Sequence, residues 1–156
     1  MKNKLENNQI KNYAISDKKI GIVKSLWNSD ITNKLYQGCY TTLTQYGAQK
    51  KDIHTLEVPG SFELIYGGKK IIQQTKLDAV IVIGSIIKGE TPHFEFISQA
   101  ICNGVKDLNI LFEIPFILCV LTDLNHKQAL ERSGGKMGNK GSDCAIAAIQ
   151  LMKNIS

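Results

Sequence analysis

The segment Glu90-Thr91-Pro92-His93 reads as the opening of a helix. A threonine hydroxyl can cap free backbone amides, and proline is tolerated at the first helical position, where its missing N–H has no intrahelical partner. Open amides at such an end, together with the Thr91 hydroxyl, suit an anion. A histidine in the first turn would lie beside that anion and could move protons near neutral pH. A lone histidine is often only a surface or core residue. His54, on an expected strand, and His126, near another helix start, lack comparable surroundings and are read as structural. Arg132 is the only arginine among 19 basic residues. Its planar guanidinium offers phosphate a forked contact that lysine cannot copy, although a single arginine must fall somewhere. Trp27, the only tryptophan, lies in the polar stretch Ser25-Leu26-Trp27-Asn28. Its ring would either stack on a heteroaromatic ligand or plug the edge of a sheet. Glu63, after Pro59-Gly60-Ser61-Phe62, would accept hydrogen bonds from a ligand amide or merely favour a helix dipole. The glycine-rich run from Gly134 to Gly141 is not a Walker loop, because its lysine has the wrong spacing and no Ser or Thr follows it.

These residues fall between segments that alternate strand and helix. Residues 20–23, 53–58, 79–84 and 116–121 are short, apolar and rich in β-branched side chains, as buried strands are. Ile31, Leu35, Cys39 and Leu43 recur at fourfold spacing behind a Ser29 or Asp30 cap, with Gly47 placed to stop the helix. Phe62, Ile65, Lys69 and Ile72 predict a second helix, whose Gly67-Gly68 pair marks close packing or local weakness. Phe94, Ile97, Ile101, Val105 and Leu108 form the clearest amphipathic stripe. Asn125 with Gln128 resembles a capping box opening a helix that Gly134-Gly135 ends, and a last helix spans 142–153. Strands that each lead into a helix predict a parallel sheet with helices on both faces. Ligands of such sheets bind beyond the carboxyl ends of the strands, which is where Trp27, Ser61 to Glu63 and the segment 85–93 fall.

The composition narrows the function classes. The chain has 156 residues, 43% of them hydrophobic, enough for one domain without disulfides or a structural metal. Cys39, Cys102, Cys119 and Cys144 show no paired spacing and are expected to be buried small hydrophobes. The net charge of +5 is spread as single and paired lysines, a solvated surface and not a nucleic-acid stripe. The polar first residues lack the apolar core of a signal peptide and no run is long enough to span a membrane, so a cytoplasmic location is expected. Residues 1–17 read as an arm, loose or paired with a partner, and 18–156 as a single domain.

Three segments in register, Val58-Pro-Gly-Ser-Phe-Glu63, Gly89-Glu-Thr-Pro-His-Phe94 and Leu130-Glu-Arg-Ser-Gly-Gly-Lys-Met-Gly-Asn-Lys-Gly141, resemble the signature segments of the lumazine synthase family. The resemblance runs from about residue 18 to the end. It implies a three-layer, flavodoxin-like α/β/α sandwich around a four-stranded parallel sheet. It also implies pentamers whose active sites are shared between neighbours. Its reaction condenses 5-amino-6-(ribitylamino)uracil with 3,4-dihydroxy-2-butanone 4-phosphate, releases phosphate and water, and calls on no metal or redox cofactor. By resemblance, His93 transfers protons, and Trp27, Ser61, Phe62, Glu63, Ser85, Ile86, Ile87 and Leu118 hold the ribitylamino-uracil. Glu90, Thr91 and Arg132 meet the phosphate, with Lys140 a further candidate beside them. Leu26 and Lys88 stand where arginine is frequent, and Leu118 where phenylalanine is, changes that adjust affinity and leave the reacting centre intact. The arm contains no proline and is free to add a strand to a neighbour's sheet, which favours a sixty-subunit shell, with riboflavin synthase as a candidate partner. A phospho-receiver of the same fold class would need an acidic pair after the first strand, where Trp27-Asn28 stands. A riboflavin synthase of the pentameric archaeal kind is disfavoured by the Gly-Glu-Thr-Pro-His loop, and a non-catalytic flavin-binding relative has only the three departures in its favour.

Overall fold

The sequence Ala79-Val-Ile-Val-Ile-Gly-Ser-Ile-Ile87 has no polar face, so a strand built from it needs cover on both sides, and the computed structural model shows how it is covered. Ile10 and residues 12–155 are described. Four parallel strands, β1 (Ile20–Ser25), β2 (Ile53–Val58), β3 (Ala79–Ile87) and β4 (Phe116–Asp123), form a sheet in the order β2-β1-β3-β4. Helices α1 (Ser29–Gln45), α2 (Leu64–Gln74), α3 (His93–Leu111), α4 (His126–Arg132) and α5 (Lys140–Asn154) complete the three layers. Ala79, Ile81 and Ile83 point into a core shared with Ile31, Leu35 and Leu43 of α1 and Ala145, Ala148 and Ile149 of α5. Val80 and Val82 point the other way, onto Leu64 and Ile71 of α2 and Ile101, Val105 and Leu108 of α3. Each Val, Leu or Ile side chain so removed from water contributes roughly 1.5–3 kcal/mol.

The α2 helix approaches the sheet as its glycine pair suggests. A Cβ at Gly67 would lie 2.6 Å from Val23 Cγ1 and 2.9 Å from Val58 Cγ1, so no larger residue fits without moving the strands. Gly47, with φ of +98°, ends the α1 region in the left-handed conformation glycine permits. The expected capping of α4 forms with its return bond shifted by one residue: Asn125 Oδ1 accepts from Gln128 N at 3.0 Å, and Gln128 Oε1 accepts from Leu124 N, before the cap, at 2.9 Å.

Several local expectations are corrected. The cap of α1 is neither Ser29 nor Asp30 but Asn28, in the left-handed region at φ 55°. Phe62 lies outside α2, because the turn after Pro59-Gly60 continues through Ser61 to Glu63 before the helix begins. Ser85, Ile86 and Ile87 belong to β3, paired with Leu121, Thr122 and Asp123, and not to a loop. Gly134-Gly135 do not simply end α4 but enter a small antiparallel hairpin, β5 (Ser133–Gly135) with β6 (Gly138–Asn139). The last helix starts at Lys140, two residues early, because Asn139 Oδ1 accepts from Gly141 N and Ser142 N at 2.8 and 3.3 Å. Cys39 and Cys119 are buried as expected, but Cys102 is exposed and Cys144 half-buried, and all four are free thiols. Of the arm, Ile10 and Ile15 are fully buried in the core with Tyr13 packed against them, while residues 1–9 and 11, on which most of the expected strand exchange falls, lie outside the described residues.

Asn28 is the only described non-glycine residue at positive φ, and its Nδ2 donates to Ser85 O across the sheet at 2.9 Å. Asn28→Ala should lower folding stability by about 2 kcal/mol, from left-handed strain plus the lost bond, and Asn28→Gly by less. Urea unfolding midpoints of both variants check the order; an alanine variant as stable as the glycine one contradicts it.

Candidate active site

In the order β2-β1-β3-β4 the chain reverses its direction of winding between β1 and β3, and a crevice opens beyond the carboxyl ends of those strands. The crevice is a cavity of about 620 Å³ lined by Trp27 and Asn28 after β1, Gly60 to Glu63 after β2, Ser85 to Ile87 at the end of β3, and His93 and Ile97 of α3. Eight expected site residues thus meet in one place. They are Trp27, Ser61, Phe62, Glu63, Ser85, Ile86, Ile87 and His93. Trp27 is 72% exposed and Phe62 52%, so two aromatic rings stand open at the mouth.

The floor of the crevice is polar. Ser61 and Ser85 are buried, and neither hydroxyl oxygen has a hydrogen-bond partner among the described residues. A buried hydroxyl left unpaired costs about 1–3 kcal/mol, a penalty that a ligand's polar atoms would remove. Gly84 makes room for this floor, since a Cβ there would lie 2.6 Å from Ser61 Oγ and 2.9 Å from Leu64 Cδ1. Asn28 holds the first loop to the floor through its bond to the Ser85 carbonyl.

The expected cap by Thr91 is not formed. The capping position of α3 is Pro92 (φ −70°, ψ 8°), which supplies no capping side chain, and Thr91 is exposed. Proline's fixed φ already sets the turn into the helix, so the hydroxyl is not needed to start it. The uncapped amides leave the positive end of α3 open beside His93, which is exposed. Lys88 donates from Nζ to Glu95 Oε1 at 2.6 Å and lies 5.8 Å from the centre of the Phe94 ring, bridging the loop to the first turn of α3. That bond holds the Glu95 carboxyl below the usual carboxylate range.

Five expected residues do not line the crevice. Glu90 and Thr91 sit on the exposed loop between Ile87 and His93. Leu118, 37% exposed, is on the edge strand β4, and Lys140, at the start of α5, is paired with Asp143 at 2.9 Å. Arg132, at the end of α4, donates from Nη1 to Asp123 Oδ1 at 3.0 Å. Burial pushes the Asp123 carboxyl above the ordinary carboxylate range, and the Arg132 guanidinium pulls it back. Asn28, Gly60, Ile97 and Asp123 were not singled out from the sequence. For Asn28 a signal existed, since asparagine before a helix is the residue most tolerant of the left-handed region; Asp123 gave none. A larger cavity of about 740 Å³, between α1 and the β5–β6 hairpin, contains none of the expected site residues. Among the described residues no group of three or more His, Cys, Asp or Glu is arranged to hold a metal ion, and no helix is long and apolar enough to cross a membrane.

Known proteins resemble this chain over most of its length. Residues 17–156 match the family described as 6,7-dimethyl-8-ribityllumazine synthase. A protein of that name from Flavobacterium psychrophilum is 54% identical over 133 residues, 85% of this chain and 70% of the relative. Those from Flavobacterium johnsoniae and Christiangramia forsetii are each 51% identical, covering 86% of this chain and 71% and 81% of their own lengths.

Proposed function

We propose that the crevice beyond β1 and β3 carries the activity of the family to which this chain belongs, the 6,7-dimethyl-8-ribityllumazine synthases. As a transferase of that family the chain joins 5-amino-6-(ribitylamino)uracil to 3,4-dihydroxy-2-butanone 4-phosphate and forms the dimethylribityllumazine of riboflavin biosynthesis. The observation that carries the assignment of the site is the pair of buried, unpartnered hydroxyls, Ser61 Oγ and Ser85 Oγ, under two exposed aromatic rings and beside His93. A flat heteroaromatic ring with a polyol tail matches that combination: faces for Trp27 and Phe62, and polar atoms for the serines and Glu63.

The proposal gives the residues these roles. The uracil amine attacks the ketone carbon, phosphate leaves, the ring closes and water is lost. Holding the two reactants in register contributes up to about 7–11 kcal/mol of the barrier reduction. His93, in the first turn of α3, relays protons between the condensing amine and the leaving groups. The open amides of α3, with Glu90 and Thr91 on the adjoining loop, receive the phosphate. Arg132, Leu118 and Lys140 lie off the crevice of their own chain and act on a neighbouring copy's. Pentamers supply that neighbour, and the arm carries assembly on to a sixty-subunit shell. Exposed Tyr66, Phe96 and Leu111 support an oligomeric reading, since exposed apolar side chains in number suit burial against another copy. The reading includes a cytoplasmic location and a riboflavin synthase as candidate partner.

His93→Ala should slow turnover by about 10²-fold, without abolishing it, because positioning survives the loss of the proton relay. Arg132→Ala should instead raise the Michaelis constant for the ketone phosphate by about 10-fold or more. Formation of the lumazine chromophore and release of phosphate, followed with each substrate varied, measure both effects. A wild-type rate for His93→Ala, or an unmoved constant for Arg132→Ala, removes the corresponding assignment. Light scattering should give the mass of a sixty-subunit particle; a stable lone pentamer sinks the shell.

A further inference from the structure

Asp123 ends β4 in an environment that stability does not explain. Its side chain is 4% exposed, its Oδ2 has no hydrogen-bond partner among the described residues, and its Oδ1 accepts from Arg132 Nη1 at 3.0 Å. A buried carboxylate with one oxygen unpaired is costly to keep, and a neutral side chain of the same shape would serve the fold as well or better. What the carboxylate does is occupy one corner of the arginine. Among the described residues the hydrogen bonds of Arg132 run through Nη1, to Asp123 and at 3.4 Å to the Gln128 carbonyl, while the side chain remains 36% exposed. The Nη2 and Nε side of the fork is therefore the part available to an anion. The backbone of Asp123 adds a second attachment, since its carbonyl accepts from Lys88 N at 2.9 Å and so fixes the first residue of the loop that carries Glu90 and Thr91. One residue thus touches both the arginine, which the proposed function directs to a neighbouring copy's phosphate, and the loop that it directs to the phosphate of its own chain.

We propose that Asp123 is a positioning residue: its carboxylate pins Arg132 through Nη1 so that the remaining donors of the guanidinium meet the phosphate of the ketone substrate. This rests on the assignment of Arg132 to phosphate made above. The opposite role is physically distinct. A carboxylate that only competed with phosphate for the arginine would weaken phosphate binding, and its removal would tighten it.

The assembled protein carrying Asp123→Asn separates these. The Michaelis constant for the ketone phosphate should rise about 10-fold, and inhibition by inorganic phosphate should weaken in step, as expected for loss of a charge-assisted contact. The constant for the uracil substrate should stay put, kcat should fall by less than the Michaelis constant rises, and the thermal midpoint should hold or increase. In an Arg132→Ala background the same substitution should add nothing, because its effect runs through the arginine. Asp123→Ser is read in the same way if the asparagine variant does not fold. A lower Michaelis constant, an unchanged one, or an equal rise in the Arg132→Ala background overturns the proposal. If Arg132→Ala itself leaves the ketone phosphate constant unmoved, the phosphate role of Arg132 fails and that of Asp123 falls with it; an effect of Arg132→Ala without one of Asp123→Asn defeats the positioning role alone.

Discussion

The burial of β3 on both faces is the constraint from which the remaining architecture follows. From Ala79 to Ser85 every residue of the strand is buried, with alternate side chains sent into two separate cores. Such a strand is stable only with a helix layer above and below, and parallel neighbours joined by crossover helices supply both at once. The cover ends at Ile86 and Ile87, where the strand outruns the helices and its side chains become half-buried. The crevice opens at this point because β1 and β3 send their crossovers to opposite sides, leaving the gap between their ends unroofed. The site is thus a by-product of how the sheet is wound, which explains why its lining comes from four separate stretches of the chain.

Within that crevice the departures from good packing are as informative as the packing. Three polar atoms near the strand ends, Ser61 Oγ, Ser85 Oγ and Asp123 Oδ2, are buried without partners among the described residues, and Asn28 sits in a backbone conformation that costs energy. In a core whose apolar side chains are so thoroughly buried, these are local sacrifices of stability. These four lie at the carboxyl ends of β1 to β4, which fits a surface shaped to be completed by something polar, although His54 Nε2 near the amino end of β2 and Ser98 Oγ in α3 are also buried without a partner among the described residues. The two serines lie in the crevice, whereas Asp123 lies at the β4 edge with Arg132, so the polar deficit is divided between two places one strand apart.

Periodicity made the layers legible. The β2 boundaries, the uncharged run of β3, the stripe Ile101, Val105, Leu108 and the Asn125 capping box all reflect hydrophobic spacing or local hydrogen bonding, which a sequence displays directly. Local competition was harder to read. Thr91 has every attribute of a cap, yet the adjoining proline sets the turn unaided. Asn28, Ser29 and Asp30 are all good caps by type, and what singles out Asn28 is its left-handed backbone and its bond to the Ser85 carbonyl, 57 residues away, which the local sequence does not display. The β5–β6 hairpin escaped notice because glycines signal that a helix stops but carry no side-chain pattern to mark the next element as a strand. The gathering of Trp27, Ser61, Ser85 and His93 followed from the rule for open parallel sheets, whereas the partner of Arg132 could not, since a carboxylate nine positions earlier is meaningful only once β4 and α4 have folded against each other.

That separation of Arg132 from the crevice bears on why a member of this family would assemble at all. The Asp123–Arg132 pair stands at the free edge of β4, on the far side of β3 from the aromatic mouth. A single chain would need its edge strand to fold back across β3 to bring the guanidinium over the crevice, and the pairing from Val80↔Phe116 to Ile87↔Asp123 forbids that. A second copy meets no such obstacle, because its β4 edge can approach the first copy's crevice from outside. Exposed Trp27, Phe62 and Leu118 then change their meaning, from apolar surface left in water to two halves of one wall. If the roles proposed above hold, assembly is part of the chemistry: a crevice that takes the flat ring would be completed by the Arg132 edge of another copy, since the sheet pairing keeps that edge off the crevice of its own chain.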